Sequence, residues 1–566
     1  MKQLFGIIMA CICLFHPLVA ASSIGVSKLA GDLAHELKIV MTMGGDDRLV
    51  TGGGGLNKYF TGPQPQPAVI ARSSSTSSNV SQVGFLAAQQ LFNRLHGALG
   101  DGDVVRCFEH AMKDIRQQVK YYWGAQASAP CYVITTPSGS DAEMLPTIAA
   151  LLRKKEWQPN VKFSRPLVVN IVIASGEVGS GTVLASKLCH FSSLAPVGKS
   201  VEAGTQIAGV MAGVVEVVEI KIRNDQGVVV SDQDLENRLA SLLHQMIEQN
   251  QQQVVLHMVH ACKTGLGAPR DIFLQAMKQK YKDDLVVVVD AAQLRVNQSF
   301  VGTWLDSGFW VFLTGSKFLG GPSFSGALLI PSREAELLAA APSNKIPLGL
   351  GDYFTPADCD DFFVNMCEVL PVWYNVGLSL RWAAALAEVA RFCSVPVDRQ
   401  DRGINHWAGG VRSLVKQSKR LKLLEEAVCA NDNGLFHSYI GKCNSVVSFG
   451  MQVTLGEGRD QFLNLVQLRK VYELMTLDLS DRIKNLSSEL QNIAATPCLI
   501  GQPVQVATTG PCTAVLRIAI AVPEIFKAIG HERVDPAVLI DEILYDDQLV
   551  VQKLDFIATY WAELSA

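Results

Sequence analysis

Two short apolar runs near the middle of the chain each lead to a charged residue. Residues 286–289 are four valines followed by Asp290, and residues 309–313 lead through Thr-Gly-Ser to Lys317. Apolar runs of this length are typical of strands that are buried on both faces of a parallel sheet. Ligands of such sheets bind beyond the carboxyl ends of the strands. The sequence therefore predicts an α/β sheet that presents a carboxylate and an amine at its ligand-binding edge.

A buried amine and a carboxylate on successive strands suit pyridoxal 5′-phosphate (PLP). This cofactor forms a Schiff base with a lysine, and a carboxylate keeps its pyridine nitrogen protonated so that the ring can act as an electron sink. Lys317 is the candidate for the first role and Asp290 for the second. Burial would also lower the pKa of the lysine and so suit it to move the Cα proton as a general base. Alone, each residue could be a solvated lysine or a helix-capping carboxylate; together they favour PLP.

Strands and helices alternate along much of the chain from about residue 100. Further strands are predicted at 131–135, 167–174 and 254–256, with helices at 144–152, 231–246 and 271–281. This order indicates an open, mostly parallel sheet sandwiched by helices. After Pro331 we expect helices at 373–392, 411–428 and 536–564, and strands at 444–455 and 513–521.

The chain is predicted to divide into five segments. They are a signal peptide (1–21), an N-terminal arm with a Gly/Pro/Ser-rich segment (22–100), a large PLP-binding domain (101–372), a connecting helix (373–394) and a smaller C-terminal α+β domain (395–566).

The first residues have the composition of a secretory signal peptide. Lys2 precedes an apolar run over 4–21 that ends in small residues. An uncleaved membrane anchor and an apolar leader that packs on the domain are alternatives, and residues 8–11 also resemble a bacterial lipobox. We expect a periplasmic or secreted protein if the signal is real and a cytoplasmic one otherwise. No other segment is apolar for long enough to span a bilayer.

Residues 44–82 are rich in Gly, Pro and Ser, which predicts irregular structure. This segment is either a flexible linker or an arm that lies across the active site. In the second case, Asn57, Lys58 and Tyr59 are candidate lining residues.

Charge and cysteine content argue against two other classes of protein. The net charge is −4, without a basic cluster, so we expect no nucleic-acid partner. The 13 cysteines show no zinc-type spacing, and His257 and His260 lack a third ligand nearby, so no metal is predicted.

On these motifs, the chain resembles the fold-type I PLP enzymes, the aspartate aminotransferase superfamily. It is most similar to the branch of the class V aminotransferases and cysteine desulfurases. The resemblance covers about residues 130–400 by motif and the remainder more loosely. It implies an amino acid substrate and a homodimer whose active sites form at the subunit interface.

The resemblance also implies which residues bind the cofactor. The loop after the strand at 131–135 would hold the phosphate, with small and hydroxylated residues that suit an anion. Beyond this loop, the resemblance places Thr264 and Gln293 beside the cofactor ring, and Thr314 and Ser316 within reach of the phosphate. The phosphate-loop candidates are Ser138, Gly139, Ser140, Asp141 and Ala142.

Two further roles implied by the resemblance are binding of the substrate carboxylate and stacking on the cofactor ring. Arg517 lies on a predicted strand where the family places an arginine that clamps the substrate carboxylate, with a surface arginine as the alternative. The glycine-rich turn at 176–182 resembles a nucleotide-binding loop, but the acidic residue that this motif carries about twenty residues later is missing. The family's stacking residue has no aromatic counterpart between 175 and 189, so His190 and Phe191 are the nearest options.

Transamination is the predicted reaction. Decarboxylases of the superfamily carry a histidine before the lysine, where this chain has Ser316. A C–S lyase or cysteine desulfurase is the alternative, although Cys498 and Cys512 lie in no desulfurase motif. A further alternative is a binding protein that kept the fold and lost turnover.

Overall fold

The computed structural model of the chain describes residues 29–424, 440, 444–455 and 459–565. The predicted signal peptide at 1–21 lies outside these residues. The strands, in chain order, are β1 (Ile70–Arg72), β2 (Cys131–Thr136), β3 (Val168–Ile173), β4 (Val215–Ile220), β5 (Gln253–Val259), β6 (Leu285–Ala291), β7 (Trp310–Thr314), β8 (Gly326–Pro331), β9 (Leu421–Leu423), β10 (Val446–Leu455), β11 (Arg459–Phe462), β12 (Cys498–Gln505) and β13 (Ala514–Ala519).

The α-helices alternate with these strands and then dominate the end of the chain. They are Leu29–Met41, Gln82–Asp101, Val104–Val119, Gly139–Ala142, Met144–Leu152, Thr182–Ser186, Asp232–Leu243, Asp271–Tyr281, Gln298–Asp306, Ser332–Ala339, Val364–Val369, Val376–Cys393, Val397–Gln417, Leu465–Met475, Ser488–Ala495, Val522–Ile529, Pro536–Thr559 and Trp561–Ser565. Short 3₁₀ turns include Asp47–Leu49, which belongs to the candidate site.

Seven described strands form the larger sheet, in the order β2-β8-β7-β6-β5-β3-β4. Neighbouring strands are parallel except for β8, which is antiparallel to both β2 and β7. The predicted α/β fold with a mostly parallel sheet is therefore confirmed.

Helices cover both faces of this sheet. On β6, the side chains of Val287 and Val289 belong to one apolar cluster, and those of Val286 and Val288 belong to another. The first cluster includes residues of helices Asp271–Tyr281 and Gln298–Asp306, and the second includes much of Met144–Leu152. Because side chains alternate along a strand, Asp290 continues the face of Val286 and Val288.

The smaller sheet has the order β1-β12-β13-β10-β11, with β9 also paired to β10. Its edge strand β1 comes from the N-terminal arm and runs parallel to β12, nearly 430 residues later in the chain. The predicted strands at 444–455 and 513–521 correspond to β10 and β13. The arm thus joins the C-terminal sheet before the chain enters the larger sheet.

One helix boundary was predicted wrongly. The helix expected at 411–428 begins at Val397, directly after Pro396, and ends at Gln417. Its apolar face already includes Ile404 and Trp407, both buried, which the narrower window missed. The chain then turns into β9, and residues 425–428 lie outside the described part.

None of the described helices combines the length and the apolar character needed to cross a membrane.

Candidate functional site

Lys317 and Asp290 lie at the carboxyl edge of adjacent parallel strands. The register of β6 and β7 pairs Asp290 with Phe312, and Lys317 follows three residues after β7 ends. Burial lowers the pKa of the Lys317 amine to about 8, and the negative charge of Asp290 opposes that shift. A lysine with this pKa is deprotonated far more often near neutral pH than an ordinary one.

The backbone around Lys317 forms a tight loop. Gly320 N–H donates to the Lys317 carbonyl (3.0 Å), and Gly321 N–H donates to the Gly315 carbonyl (2.9 Å). A Cβ on Gly315 would come within 2.5 Å of the Ala385 Cβ, so helix Val376–Cys393 packs directly on the loop. This packing fixes the backbone of the loop and therefore the position from which the Lys317 side chain extends.

Residues 138–142 lie against the ends of β6 and β7. A Cβ on Gly139 would lie 3.3 Å from Thr314 Cγ2 and 3.8 Å from the Ala292 Cβ. The Thr314 hydroxyl donates to the Ala292 carbonyl (2.6 Å), which ties the two strand ends together. The predicted phosphate loop and Thr314 are therefore neighbours, as the sequence motifs required.

Asp141 gives this loop an unusual carboxyl group. Its Oδ2 accepts a hydrogen bond from the Ser138 hydroxyl (2.6 Å). Burial, reinforced by the charge of Asp46, raises the pKa of Asp141 to about 7. Because a carboxyl group with this pKa is partly protonated near neutral pH, Asp141 repels an anion less than an ordinary aspartate would.

Arg48 is a site residue that the sequence analysis missed. Its Nη2 donates to the Ser138 hydroxyl (2.8 Å), and its Nη1 donates to the Ser140 hydroxyl (3.3 Å). Although burial alone would lower the pKa of the guanidinium, the adjacent Asp46 carboxylate raises it. No sequence motif links Arg48 to a loop 90 residues later.

The serine-rich part of the arm packs on the lysine loop. Ser78 N–H donates to the Ser316 carbonyl (3.0 Å), and the Ser78 hydroxyl donates to the Lys317 carbonyl (2.6 Å). The Ser74 hydroxyl accepts from Arg295 Nη2 (2.7 Å). Residues 73–75, 77 and 78 are buried. The interpretation as a flexible linker is wrong for this stretch, since it is held inside the protein.

The three residues named earlier in the arm have different environments. Tyr59 is edge-to-face with Phe324 (5.7 Å between ring centroids), a neighbour of the lysine loop. Asn57 accepts hydrogen bonds from Tyr59 N–H (2.9 Å) and the Thr61 hydroxyl (3.1 Å), so it orders the turn. Lys58 is exposed and pairs with Asp47 (3.7 Å).

Several buried polar atoms near Lys317 have no hydrogen-bond partner within the described residues. Gln293 Nε2 donates to the Ser75 carbonyl (2.9 Å), but its Oε1 is unpartnered. The hydroxyls of Ser75 and Ser316 are also unpartnered. A buried polar atom left without a partner costs about 1–3 kcal/mol. These atoms are therefore suited to receive a polar ligand.

Thr264 takes part in a buried charged cluster. Its hydroxyl donates to Glu177 Oε2 (2.5 Å) and accepts from Arg223 Nη2 (3.0 Å). Arg223 Nε also pairs with Glu177 Oε1 (2.7 Å), and both side chains are buried. Glu177 belongs to the glycine-rich turn, so this turn supplies an ion pair beside the strand ends. The predicted contact of Thr264 with a cofactor stays a prediction.

Arg517 and Lys263 add two more cations to the site. Arg517 Nη1 donates to the carbonyls of Lys263 (3.1 Å) and Ser75 (3.2 Å), and its Nε donates to Gln502 (2.9 Å). Burial lowers the pKa of Arg517 to about 10. Burial, reinforced by Arg517 and Lys317, lowers the pKa of Lys263 to about 8. Among the described residues, Arg517 has no carboxylate partner.

The histidines and nearby aromatic residues are mostly held by protein contacts. His190 Nδ1 lies 2.7 Å from the Tyr353 hydroxyl, and the two rings are stacked. Phe191 lies under the Arg48 guanidinium (5.5 Å).

His257 contacts Glu143 and Asn170, each at 2.9 Å. Burial lowers the pKa of His260 to about 3, so this ring is neutral.

Cys498 and Cys512 are poorly placed as nucleophiles. Cys498 is buried in β12, and burial raises its pKa to about 11. Burial also raises the pKa of the half-buried Cys512 thiol. Since the thiolate is the reactive form, neither cysteine favours desulfurase chemistry.

No family model matches the sequence, and no curated protein matches it. Among solved structures, the chain is similar to ureidoglycine-glyoxylate aminotransferase from Bacillus subtilis (11% identity over 86% of this chain and 94% of that chain, TM-score 0.45). It is similar to a cysteine desulfurase from Escherichia coli (12%, 86% and 96%, TM-score 0.45) and to alanine–glyoxylate aminotransferase from Nostoc sp. (14%, 88% and 99%, TM-score 0.45). At this level the similarity concerns architecture alone.

Proposed function

We propose that this chain is a PLP-dependent enzyme that acts on an amino acid and transfers its amino group. The observation that carries the proposal is the half-buried Lys317 amine, whose pKa is lowered to about 8 and which feels the charge of Asp290, at the ligand-binding edge of the sheet. A lysine of this kind is suited to covalent catalysis. The carboxylate is suited to hold a proton on a pyridine nitrogen.

The residues around Lys317 fit the cofactor. The unpartnered atoms of Ser75, Gln293 and Ser316 can pair with a polar ligand, and the hydroxylated 138–142 loop suits a phosphate. When bound, PLP supplies an aldehyde that condenses with amines and a ring that accepts electrons.

Lys317 has two roles in this proposal. Its neutral amine is the nucleophile that attaches the cofactor, which requires a free lone pair. When free, the same amine would accept and hold the proton from the substrate Cα. A pKa of about 8 lets Lys317 serve as both base and acid near neutral pH.

Arg517 is the proposed binding group for the substrate carboxylate. Its N–H groups donate to backbone carbonyls, which are weaker acceptors than a carboxylate. A substrate carboxylate can therefore replace these carbonyls as the acceptor and neutralise the buried charge of Arg517. Arg517 also lies close enough to lower the pKa of Lys317, which places it near the reacting amine.

We favour amino transfer over sulfur chemistry. The raised pKa values of Cys498 and Cys512 keep both thiols protonated, whereas a desulfurase needs a thiolate. We further propose a homodimer, which light scattering of the purified protein tests directly.

The test is an absorbance spectrum of the purified protein incubated with PLP and then dialysed. We expect a visible band that Lys317→Ala abolishes and that the control Lys280→Ala, at an exposed lysine paired with Glu248, retains. Addition of an amino acid substrate should bleach the band and release a keto acid. A colourless protein that PLP cannot reconstitute would reject the proposal. A stable band without keto acid release from any amino acid would favour a binding protein.

A further inference from the structure

A turn of the N-terminal arm reaches the loop assigned to the cofactor phosphate. The turn is the 3₁₀ segment Asp47–Leu49, and Asp46 caps it by accepting a hydrogen bond from Arg48 N–H (2.9 Å). The guanidinium of Arg48, a residue of this turn, contacts the loop that follows β2. None of the roles proposed so far requires an arginine at this position.

The Arg48 side chain is held rigidly. Asp46 Oδ1 accepts from Nε (2.8 Å) and Oδ2 accepts from Nη2 (2.5 Å), which makes a bidentate pair. The guanidinium lies over the rings of Phe324 (4.7 Å) and Phe191 (5.5 Å). Only 11% of the side chain is exposed. A guanidinium fixed in this way keeps its remaining N–H groups in one direction.

Those N–H groups point at two hydroxyls of the loop. Nη2 donates to Ser138 Oγ (2.8 Å) and Nη1 donates to Ser140 Oγ (3.3 Å). An oxyanion that receives a hydrogen bond from the Ser140 hydroxyl, or that replaces Asp141 as the acceptor of the Ser138 hydroxyl, must lie close to the guanidinium. The planar fork of arginine matches the oxygen spacing of a phosphate.

The charge balance of the loop requires such a cation. Asp46 and Asp141 lie close enough for the Asp46 charge to raise the pKa of Asp141. A phosphate placed beside two carboxyl groups would be repelled, and the positive charge of Arg48 offsets that repulsion. Arginine also stays protonated at every working pH.

We propose that Arg48 binds the phosphate of the cofactor together with Ser138 and Ser140, so that the N-terminal arm forms one wall of the phosphate site. This inference rests on the proposed function. It assigns Arg48 to the phosphate and excludes it from the pyridine ring and from the substrate carboxylate.

The test compares PLP with pyridoxal, which has the same ring and aldehyde but no phosphate. Dissociation constants of both compounds are measured by absorbance titration of the full chain and of Arg48→Gln. We expect the variant to bind PLP about 10- to 100-fold more weakly, the range for losing a hydrogen bond to a charged group. Its affinity for pyridoxal should match that of the wild type.

Arg106→Gln is the matched control. Arg106 also pairs with a nearby aspartate (Asp103, 2.6 Å), but its side chain is 70% exposed. We expect wild-type affinity for both compounds. In addition, inorganic phosphate should compete with PLP for the wild type and compete less for Arg48→Gln.

Three results would overturn the inference. Equal weakening of PLP and pyridoxal would mean that Arg48 supports the fold of the site. Unchanged PLP affinity would mean that Arg48 does not contact the phosphate. If the wild type bound neither compound, the proposed function would fail and this inference would fail with it.

Discussion

The hydroxyl of Ser78 donates a hydrogen bond to the backbone carbonyl of Lys317 at 2.6 Å. A residue of the N-terminal arm thus holds the loop that carries Lys317, 239 residues later in the chain. The arm continues from β1, which belongs to the C-terminal sheet. The position of the lysine therefore depends on contacts among three distant parts of the sequence.

Ser78→Ala should loosen the lysine loop. It removes a hydrogen bond to a backbone carbonyl in a buried position, which is worth about 1 kcal/mol. We expect a corresponding loss in the free energy of unfolding, measured with urea, and weaker PLP binding. The control is Ser394→Ala, whose exposed hydroxyl donates to the Arg391 carbonyl (2.7 Å). Equal effects of the two substitutions would contradict a special role for Ser78.

Attachment of PLP should depend on pH through the Lys317 amine. Only the neutral amine reacts, and burial lowers its pKa to about 8. The reconstitution rate should rise about tenfold per pH unit below that value and level off above it. Stopped-flow absorbance between pH 6 and 10, at constant ionic strength, measures this profile. A rate that still rises at pH 10 would indicate an ordinary lysine.

Two substitutions should move that profile in opposite directions. Asp290 stabilises the charged amine, so Asp290→Asn should lower the pKa of Lys317 and shift the midpoint of the rate profile to lower pH. Arg517 disfavours the charged amine, so Arg517→Met should shift it up. Shifts of the same sign would show that the two side chains do not act on Lys317 by charge.

Glu177→Gln should destabilise the protein. The substitution removes the buried Glu177 carboxylate from its pair with Arg223 (2.7 Å), and removing one partner of a buried ion pair costs about 3–5 kcal/mol. Urea unfolding measures the change. In the exposed pair Arg402–Asp398, Asp398→Asn should cost less than about 1 kcal/mol. A loss below 1 kcal/mol for Glu177→Gln would contradict the role of this pair.

Much of the larger sheet could be predicted from local sequence. The apolar runs at 286–289 and 309–313 are buried on both faces, and that burial leaves a clear signal in composition. The same signal drew attention to Asp290 and Lys317, because Asp290 directly follows one run and Lys317 follows the other after Thr-Gly-Ser. The loop at 138–142 became the candidate for the phosphate for a similar reason, since it follows β2 and precedes a helix.

The structure of the N-terminal arm could not be predicted from local sequence in the same way. Residues 73–78 are polar, so their composition predicted a loop, but all of them except the half-buried Thr76 are buried, and this segment contacts Gln293, Arg295 and Arg517. Arg48 was missed for the same reason, since its partners Ser138 and Ser140 are distant in the chain. A single sequence carries no sign of such long-range polar contacts.

The most direct test of the account is to find the residue that carries the cofactor. Borohydride reduction of the PLP-treated protein makes the link permanent, and peptide mass spectrometry then identifies the modified lysine. The account predicts a pyridoxyl group on Lys317. Lys263 is a stringent internal comparison, because its pKa is also lowered to about 8 in the same site. Modification of Lys263 with Lys317 unmodified, or no modified lysine at all, would contradict the account.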